Sequence, residues 1–418
     1  MDRRSFIKMC SLAGMGVVVS GLDSNREAWA GTQRCYVMVN AGGGWDPTLV
    51  CDPKGGNVEA GTGINPEFSA SEIGVAGNLS YAPVANNKAF FDRFSDQLLV
   101  INGIDTQTNG HDTGRRSSAS GDLKDGFPAF AALAAATLAE GQAMAFITNG
   151  GYDETAGVVG ATRFGDLGAI EALIYPNREN PPDDESATFF TNQTWKTIQQ
   201  SRKARLDRQR QEQRLPRIRN GQDLLYTSRL NTGGLKDLLQ WLPDDLGQGL
   251  ARQANIGLAA YKAGLTTSIN MSLGGFDTHS NHFQNHEPRV AQLLDGVMAL
   301  MDRAEELDIV DEVVVCINSD FGRTPSINTG NGKDHWAVGS MMLMGPGIAG
   351  NRVVGGTDDG QNYRNVDANT LLPVDSGGVT LRNSHIHAEL RKNAGIADHP
   401  NLTSFKLANE EELSILTG

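Results

Sequence analysis

The chain has 418 residues, of which 39% are hydrophobic and 20% charged, so it can build a core and is not disordered throughout. Its 49 acidic and 36 basic residues give a net charge of −13, which argues against a nucleic-acid-binding protein. After the N-terminal region, no apolar run reaches the roughly 18 residues of a membrane-spanning helix, so no transmembrane segment is predicted in the mature chain.

The N-terminus predicts an export signal. Residues 2–8, Asp-Arg-Arg-Ser-Phe-Ile-Lys, resemble a twin-arginine leader, and an apolar stretch follows from Met9 to Leu22. Ala28-Trp29-Ala30 then fits a cleavage site, so residues 1–30 are predicted to be a signal peptide that is removed before Gly31. Because this peptide carries four basic and three acidic residues, the mature chain would have a net charge of −14. The expected location is the periplasm, the cell surface or the extracellular space. The alternative interpretation is an ordinary basic N-terminus without an export signal.

Three cysteines remain after removal of the predicted signal peptide. They are Cys35, Cys51 and Cys316, an odd number, so at least one thiol is expected to be unpaired. Cys35 and Cys316 lie in apolar, strand-like runs and are predicted to be buried, unreactive thiols.

Apolar runs that alternate with a helical segment predict an α/β fold in the N-terminal part. Cys35–Asn40 is predicted to be a buried strand that ends in a glycine-rich turn, and Gln97–Asn102 a second strand, followed by the polar segment 103–116. The alanine-rich segment Phe127–Leu138 predicts a helix, and Ala143–Thr148 a third strand. This alternation predicts a mostly parallel sheet with helices on both faces.

The middle of the chain has a different composition. Residues 194–229 are rich in Arg, Gln and Lys and predict a solvated helix or an arm that stands off the core; a basic surface for a partner is the alternative. Residues 235–260 predict further helix. We therefore expect one α/β domain, residues 31–418, with a helical insertion around residues 181–262.

The sheet pattern resumes in the last third of the chain. A long helix is predicted from Pro288 to Leu307, because apolar residues recur there at spacings of three and four and proline suits a first turn. Residues 351–383 predict a loop, and Arg382–Gly395 a final helix. Further strands are predicted at Thr267–Leu273, Val310–Asn318 and Ser340–Gly345.

Four polar clusters each follow a predicted strand. The carboxyl ends of parallel strands meet at one edge of a sheet, so these clusters could converge there. Carboxylate and imidazole ligands together suit Zn²⁺ or Mn²⁺, and two such ions about 4 Å apart could clamp an ester and activate a water. The candidate ligands are Asp46, Asp277, His279, Asp320, Asp334 and His335. His282 is a further candidate because of its spacing from Asp277. His286 is instead expected to be a polar residue at the start of the helix.

Each candidate has a structural alternative. An Asp that follows Gly at a strand end commonly caps a helix or closes a turn, and His335 beside Trp336 could be a core imidazole. Arg323 follows the Asp320 cluster, where its guanidinium could bind a phosphate or sulfate group or form a structural salt bridge. No phosphate-binding loop, dinucleotide-binding glycine motif or Gly-x-Ser-x-Gly nucleophile motif is present.

These motifs as a set resemble the Tat-exported domain-of-unknown-function 1501 family. The resemblance includes Gly43-Gly-Trp-Asp46, and it covers nearly the whole mature chain apart from the basic middle. That family is similar in fold to the alkaline phosphatase and sulfatase superfamily, which implies an alkaline-phosphatase-like sheet, a two-metal site and a nucleophile at the start of a helix. The other strings that carry it are Gly274-Gly-Phe-Asp-Thr-His279, Ser319-Asp-Phe-Gly-Arg-Thr-Pro325, Asp334-His-Trp336, Gly355-Gly-Thr-Asp358 and His387-Ala-Glu-Leu.

The resemblance implies roles for single residues. Asp46 would be the first-strand metal ligand, Asp277 with His279 or His282 would bind one ion, and His335 would be the last histidine ligand. Asp320 would stand in an Asp-His ligand pair, but Phe321 replaces its histidine, which puts the second ion in doubt. The nucleophile region holds Thr106, Thr108 and Thr113, and His111 would act as acid, base or ligand. Cys51-Asp-Pro-Lys-Gly55 lacks the arginine of the sulfatase modification motif and is disfavoured as such a site.

Two functional hypotheses follow from these observations. The first is an exported hydrolase of phosphate or sulfate esters that uses one or two divalent ions (Zn, Mn or Ca), with Thr108, His111 and Arg323 as catalytic residues. The attacking group would be a threonine near residues 106–113 or a metal-bound water. The second is a non-catalytic envelope or secreted binding and assembly protein. It would work with an exported partner, for which the resemblance suggests the domain-of-unknown-function 1800 family.

Overall fold

A computed structural model describes most of the chain after the predicted leader. The described residues are 34–139, 144–163, 174–179, 187–215, 233–408 and 411–417, with 142, 172, 218 and 222 as single positions. The predicted twin-arginine leader, residues 1–30, lies outside them. No helix among the described residues is long and apolar enough to cross a membrane.

An eight-stranded sheet forms the centre of the fold. Its spatial order is β8-β2-β7-β6-β1-β5-β3-β4, and β7 is antiparallel to both of its neighbours while all other pairs are parallel. The predicted α/β class with a mostly parallel sheet is therefore confirmed. The strands are β1 (Cys35–Gly42), β2 (Leu99–Asp105), β3 (Phe146–Thr148), β4 (Ala161–Thr162), β5 (Ser268–Gly274), β6 (Val313–Ser319), β7 (Val338–Met344) and β8 (Arg352–Gly355).

Helices cover both faces of this sheet. Successive side chains of a strand point to opposite faces, so Val37 and Val39 of β1 join one buried cluster and Tyr36 and Met38 the other. Helices α1, α6 and α7 pack on the first face, and α3 and α8 on the second. The helices are α1 (Asn87–Phe94), α2 (His111–Ser120), α3 (Phe130–Leu138), α4 (Asn192–Glu212), α5 (Gly233–Gln240), α6 (Gly249–Lys262), α7 (His282–Glu306) and α8 (Asn383–Asn393).

Three elements differ from the prediction. Helix α7 begins at His282, six residues before the predicted start at Pro288, so Pro288 lies inside the helix. The predicted loop 351–383 begins with the edge strand β8. The predicted helix at 235–260 is two helices, α5 and α6, and α6 packs against the sheet core.

The basic middle of the chain contains a long exposed helix. In α4, Leu206 is the single buried residue of the 21 residues. The boundaries of the predicted insertion, residues 181–262, stay a prediction, because several stretches of that range lie outside the described residues.

The described cysteines are all free and buried. They are Cys35, Cys51 and Cys316, and burial raises the pKa of the Cys316 thiol to about 12. This agrees with the predicted unreactive thiols in β1 and β6.

The strand directions bring five chain segments to one edge of the sheet. Strands β6, β1 and β5 are neighbours and run parallel, so the loops that follow them are adjacent. Strand β2 runs in the same direction, and the reversed strand β7 begins at the edge where the others end. The start of α2 and the residues before β7 therefore join the three loops.

Candidate metal centre

Three side chains from distant segments form a group that could hold a metal ion. They are His111 at the start of α2, Asp277 after β5 and His335 before β7, and their ligand atoms lie within 4.8 Å of one another. His111 Nε2 is 3.3 Å from Asp277 Oδ2, and His335 Nε2 is 3.1 Å from Asp277 Oδ1. The side chain of Asp277 is 44% exposed, so the group faces solvent.

His279 and Asp334 extend this group. His279 Nε2 lies 3.0 Å from Asp277 Oδ1 and 3.0 Å from His335 Nε2. The other ring nitrogen, Nδ1, lies 2.8 Å from Asp334 Oδ1, and this histidine holds the pKa of Asp334 below its usual range. The sequence-predicted residues His111, Asp277, His279, Asp334 and His335 are thus brought together.

The outer hydrogen bonds orient the three imidazoles in the same way. His335 Nδ1 donates to the carbonyl of Asn109 at 2.7 Å, because a carbonyl can only accept. His111 Nδ1 faces Asp320 Oδ2 at 2.9 Å, and His279 Nδ1 faces Asp334. Nε2 of the neutral His335 ring therefore carries a lone pair, and Nε2 of His111 and of His279 is directed at the same Asp277 carboxylate. Electron pairs facing a carboxylate repel unless a proton or a cation lies between them, so this donor set fits a cation such as Zn²⁺.

Asp320 is buried beneath this group. Its Oδ2 accepts from His111 and, at 3.2 Å, from the backbone N–H of Gly43, whereas its buried Oδ1 has no partner among the described residues. Burial raises the pKa of Asp320, although the neighbouring His111 opposes the shift. The ring of Phe321, which stands where the resemblance expects a histidine, lies 5.0 Å from His111 and 4.5 Å from His335 between centroids.

Arg323 ties Asp277 to the loop after β1. The fully buried guanidinium donates from Nε to Gly44 O at 2.8 Å, from Nη1 to Lys333 O at 3.1 Å and from Nη2 to Asp277 Oδ1 at 2.6 Å, with a further bond from Nη2 to Gly43 O. Burial opposes the charge of Asp277, but Arg323 and His335 outweigh it and lower its pKa to about 2. Two roles were predicted for Arg323, anion binding or a structural salt bridge. The structure shows the salt bridge, because the guanidinium N–H groups donate to protein oxygens.

Gly43 is needed for this close packing. Its φ is +121°, and a Cβ there would lie 2.5 Å from the backbone nitrogen of Asp277. The glycine-rich turn predicted after β1 thus lets two loops meet without a side chain between them.

Asp46 and His282 lie in a second, fully buried cluster. Lys333 Nζ is 2.6 Å from Asp46 Oδ2, and His282 Nε2 is 3.0 Å from the same oxygen. Asp46, His282 and Lys333 are all 0% exposed. Asn65 Oδ1 accepts a second bond from Lys333 Nζ at 3.0 Å, and Thr48 donates to Asp46 Oδ1 at 2.6 Å. An ammonium group is thus the cation that pairs with Asp46.

The hydrogen bonds of this cluster also define its protonation. The backbone N–H of Asp46 donates to His286 Nε2 at 2.9 Å, so His286 Nδ1 carries the proton and donates to Thr278 Oγ1 at 3.0 Å. Thr278 Oγ1 can then donate to His282 Nδ1 at 2.7 Å, and His282 Nε2–H to Asp46. Burial lowers the pKa of both histidines, and for Asp46 burial is outweighed by Lys333 and His282, which hold its pKa well below the usual range. Two neutral imidazoles and one ion pair leave the cluster without net charge.

The predicted nucleophile region lies on the loop between β2 and α2. Thr106 Oγ1 donates to Thr108 O at 2.8 Å, and Thr108 Oγ1 accepts from Gly110 N at 3.1 Å. This turn places Asn109 against His335. Cys51 is 3% exposed, with Sγ 3.6 Å from Asn102 Oδ1, so the disfavoured modification site is inside the core.

Sequence reasoning missed Lys333 and Thr278 as members of a site. Lysine is rarely buried without a partner, so its charge indicates a surface position. The available signal was its place directly before Asp334 and His335, inside one of the four polar clusters.

Comparisons with known proteins support part of the predicted resemblance. Residues 260–374 match the family model described as "Protein of unknown function (DUF1501)". That range includes Asp277 and His335 but neither Asp46 nor His111. No curated protein sequence matches the chain.

Several solved structures are similar to this chain over most of its length, with low sequence identity and TM-scores of 0.40 or less. Ps i-CgsB in complex with k-i-k-neocarrahexaose is similar with 10% identity and a TM-score of 0.40, over 88% of this chain and 74% of that one. The PsFucS1 sulfatase from Pseudoalteromonas sp. has 8% identity and a TM-score of 0.39, over 93% and 75%. A protein in the alkaline phosphatase superfamily from Vibrio parahaemolyticus has 9% identity and a TM-score of 0.33, over 95% and 76%.

Proposed function

We propose that this protein is an exported hydrolase of phosphate or sulfate esters that binds one divalent cation at His111, Asp277 and His335. One observation carries the proposal: three imidazoles, those of His111, His279 and His335, direct Nε2 at a single carboxylate while Nδ1 is held from outside. Histidine ligands whose other nitrogen is fixed by a carboxylate or carbonyl are typical of metal centres. Nitrogen-rich donors favour Zn²⁺ or Mn²⁺ over Ca²⁺.

We infer one ion rather than two. The second site would need Asp46, and the Lys333 ammonium already lies 2.6 Å from it in a fully buried cluster. Phe321 supplies no ligand atom beside Asp320. Displacing Lys333 would leave an ammonium group buried without its partner, which costs several kcal/mol.

The residues of the chain would divide the work of ester hydrolysis. A divalent cation, when bound, supplies Lewis-acid catalysis. His279 is the most exposed imidazole of the group and is held by Asp334, so it can take up or deliver a proton at Nε2. Asp320 and Arg323 hold His111 and Asp277 in position. Thr108, on the loop that contacts His335, stays the proposed nucleophile.

Elemental analysis of the purified protein, together with hydrolysis assays, tests this function. We expect one ion per chain in the wild type, and loss of the ion and of ester hydrolysis in Asp277→Asn and His335→Gln. His399→Gln, a partly exposed histidine elsewhere in the chain, is the matched control and should keep both. Two ions in the wild type, or an ion retained in Asp277→Asn, would contradict the proposal.

The exposed helix α4 favours a second candidate function, binding of an exported partner. It carries six basic and two acidic residues in a chain whose net charge is −13. Because Leu206 is the single buried residue of α4, the charged side chains of this helix do not contribute to the packing of the core. We propose that α4 binds an acidic surface of an exported protein, for which the domain-of-unknown-function 1800 family is the expected source.

Charge reversal separates the two candidates. The triple variant Arg202→Glu, Arg205→Glu and Arg208→Glu should lose co-purification of a stoichiometric partner while the metal content stays at one ion. Lys88→Glu reverses an exposed charge on α1 and serves as the control. Unchanged recovery of the partner by the triple variant would exclude α4 as the binding surface.

A further inference from the structure

A polar groove of about 450 Å³ lies beside the proposed metal group. It runs between the loop after β5 and the first turns of α7. Asp277 and His279 line it next to the metal group, and side-chain amides and a hydroxyl line the rest. Those polar residues are Ser280, Gln284, Asn285 and Gln292, and Arg289 lies among them.

Arg289 is a cation without a carboxylate partner in the part of the chain that the structure describes. Its Nη1 donates to Gln292 Oε1 at 2.8 Å, and none of the described Asp or Glu oxygens forms an ion pair with it. Gly275 allows the guanidinium to lie against this loop: its φ is +99°, and a Cβ there would lie 2.6 Å from Arg289 Nε. Arg323, by contrast, has its guanidinium turned inward to protein oxygens.

The other walls of the groove complement an anion that bears hydroxyl groups. The N-terminal turns of α7 contribute partial positive charge at this end of a 25-residue helix. Pro288 has no N–H to donate to the carbonyl of Gln284, so this carbonyl lacks its usual helical partner. Amide side chains add both donors and acceptors.

We propose that this groove binds the substrate and that Arg289 recognises an anionic group of a hydroxyl-bearing phosphate or sulfate ester. This inference rests on the proposed function of the metal group. An arginine suits either oxyanion because its guanidinium can form two parallel hydrogen bonds with it. Arg289 determines affinity, whereas the metal group next to it carries the chemistry.

Anion binding by the metal-loaded protein tests the inference, with inorganic sulfate and inorganic phosphate as the probes in a calorimetric titration. We expect Arg289→Gln to weaken binding of the preferred anion by about 10-fold or more, since loss of a charged hydrogen bond has effects of that size. Arg289→Lys should keep part of the affinity. Arg93→Gln, an exposed arginine on α1 paired with Asp302, should bind as the wild type does.

The outcomes separate this inference from the proposed function. Metal content is measured in every variant and should stay at one ion, because Arg289 is not a ligand. Equal binding by the wild type and Arg289→Gln, or no binding of either anion by the wild type, would overturn the inference. If the purified wild type holds no metal, the same titration is run on it as purified, and Arg289-dependent anion binding would then overturn the proposed function and leave the groove assignment standing.

Discussion

Replacing Lys333 by methionine should destabilise the protein strongly. Methionine fills a similar volume but leaves the Asp46 carboxylate, which is 0% exposed, without its ammonium partner at 2.6 Å. The carboxylate then keeps three hydrogen-bond donors: His282 Nε2, the Thr48 hydroxyl and the backbone N–H of Thr48. Breaking a buried ion pair from one side costs about 3–5 kcal/mol, and the three remaining donors place our expectation near the lower end, at about 3 kcal/mol.

The reasoning is tested by a double-mutant cycle in chemical denaturation. Asp46→Asn keeps the shape of the side chain and removes its charge, so the double variant Asp46→Asn, Lys333→Met contains no unpaired charge. We expect it to be more stable than the sum of the two single effects by about 2 kcal/mol, as for directly contacting groups. All three variants should still bind one metal ion, because neither residue belongs to the exposed group.

A control variant measures how much the replacement of an exposed lysine by methionine changes stability in general. Lys88 pairs with Asp92 at 2.5 Å, but its side chain is 76% exposed. Lys88→Met should therefore change the unfolding free energy far less than Lys333→Met does. If Lys333→Met costs no more than Lys88→Met, or if the two effects at Asp46 and Lys333 simply add, the buried ion pair does not stabilise the fold as argued.

Three further predictions concern pH, metal and thiols. Burial, with Arg391 nearby, lowers the pKa of His387 from 6.5 to about 4, so the unfolded chain takes up this proton first and stability should fall between pH 6.5 and pH 4. Unfolding titrations at pH 7 and pH 4.5 measure the stability that is lost on acidification. This loss should be about 2 kcal/mol smaller for His387→Gln than for the wild type, and an unchanged pH dependence would refute this assignment. Removing the metal with a chelator should lower the thermal midpoint, and metal at about 100 times its Kd should restore about 2.7 kcal/mol; equal midpoints with and without chelator would speak against a bound ion. Cys35, Cys51 and Cys316 should not react with a thiol reagent until denaturant is added, and labelling of the native protein at any of them would contradict their burial.

The sheet could be predicted because burial on both faces leaves a clear pattern. In β1 and β6 nearly every residue is buried, so both appear in the sequence as continuous apolar runs. The start of α7 was predicted wrongly because proline is favoured in a first turn. The helix instead begins at His282, where the buried contacts of His282 and His286 with Asp46 and Thr278 hold two earlier turns in place.

The separation into two clusters could not be predicted from the sequence. Asp277, Thr278 and His279 are consecutive, yet the first and third lie on the exposed side and Thr278 is buried with His282. The direction of each side chain depends on how the loop is held, here by Arg323 and Gly43. A spacing argument brings all the carboxylates and imidazoles to one edge but does not say which of them face the same space.

The long sequence separation of the proposed ligands determines when the ion can enter. His111 and His335 are far apart in the chain, and they meet only after β2, β5 and β7 have taken their places in the sheet. An unfolded chain offers no such site, so we expect the proposed ion to bind only together with or after folding of the sheet. If the twin-arginine leader operates as predicted, folding precedes transport. The compartment in which the chain is made, rather than the one in which it works, would then decide which metal it carries.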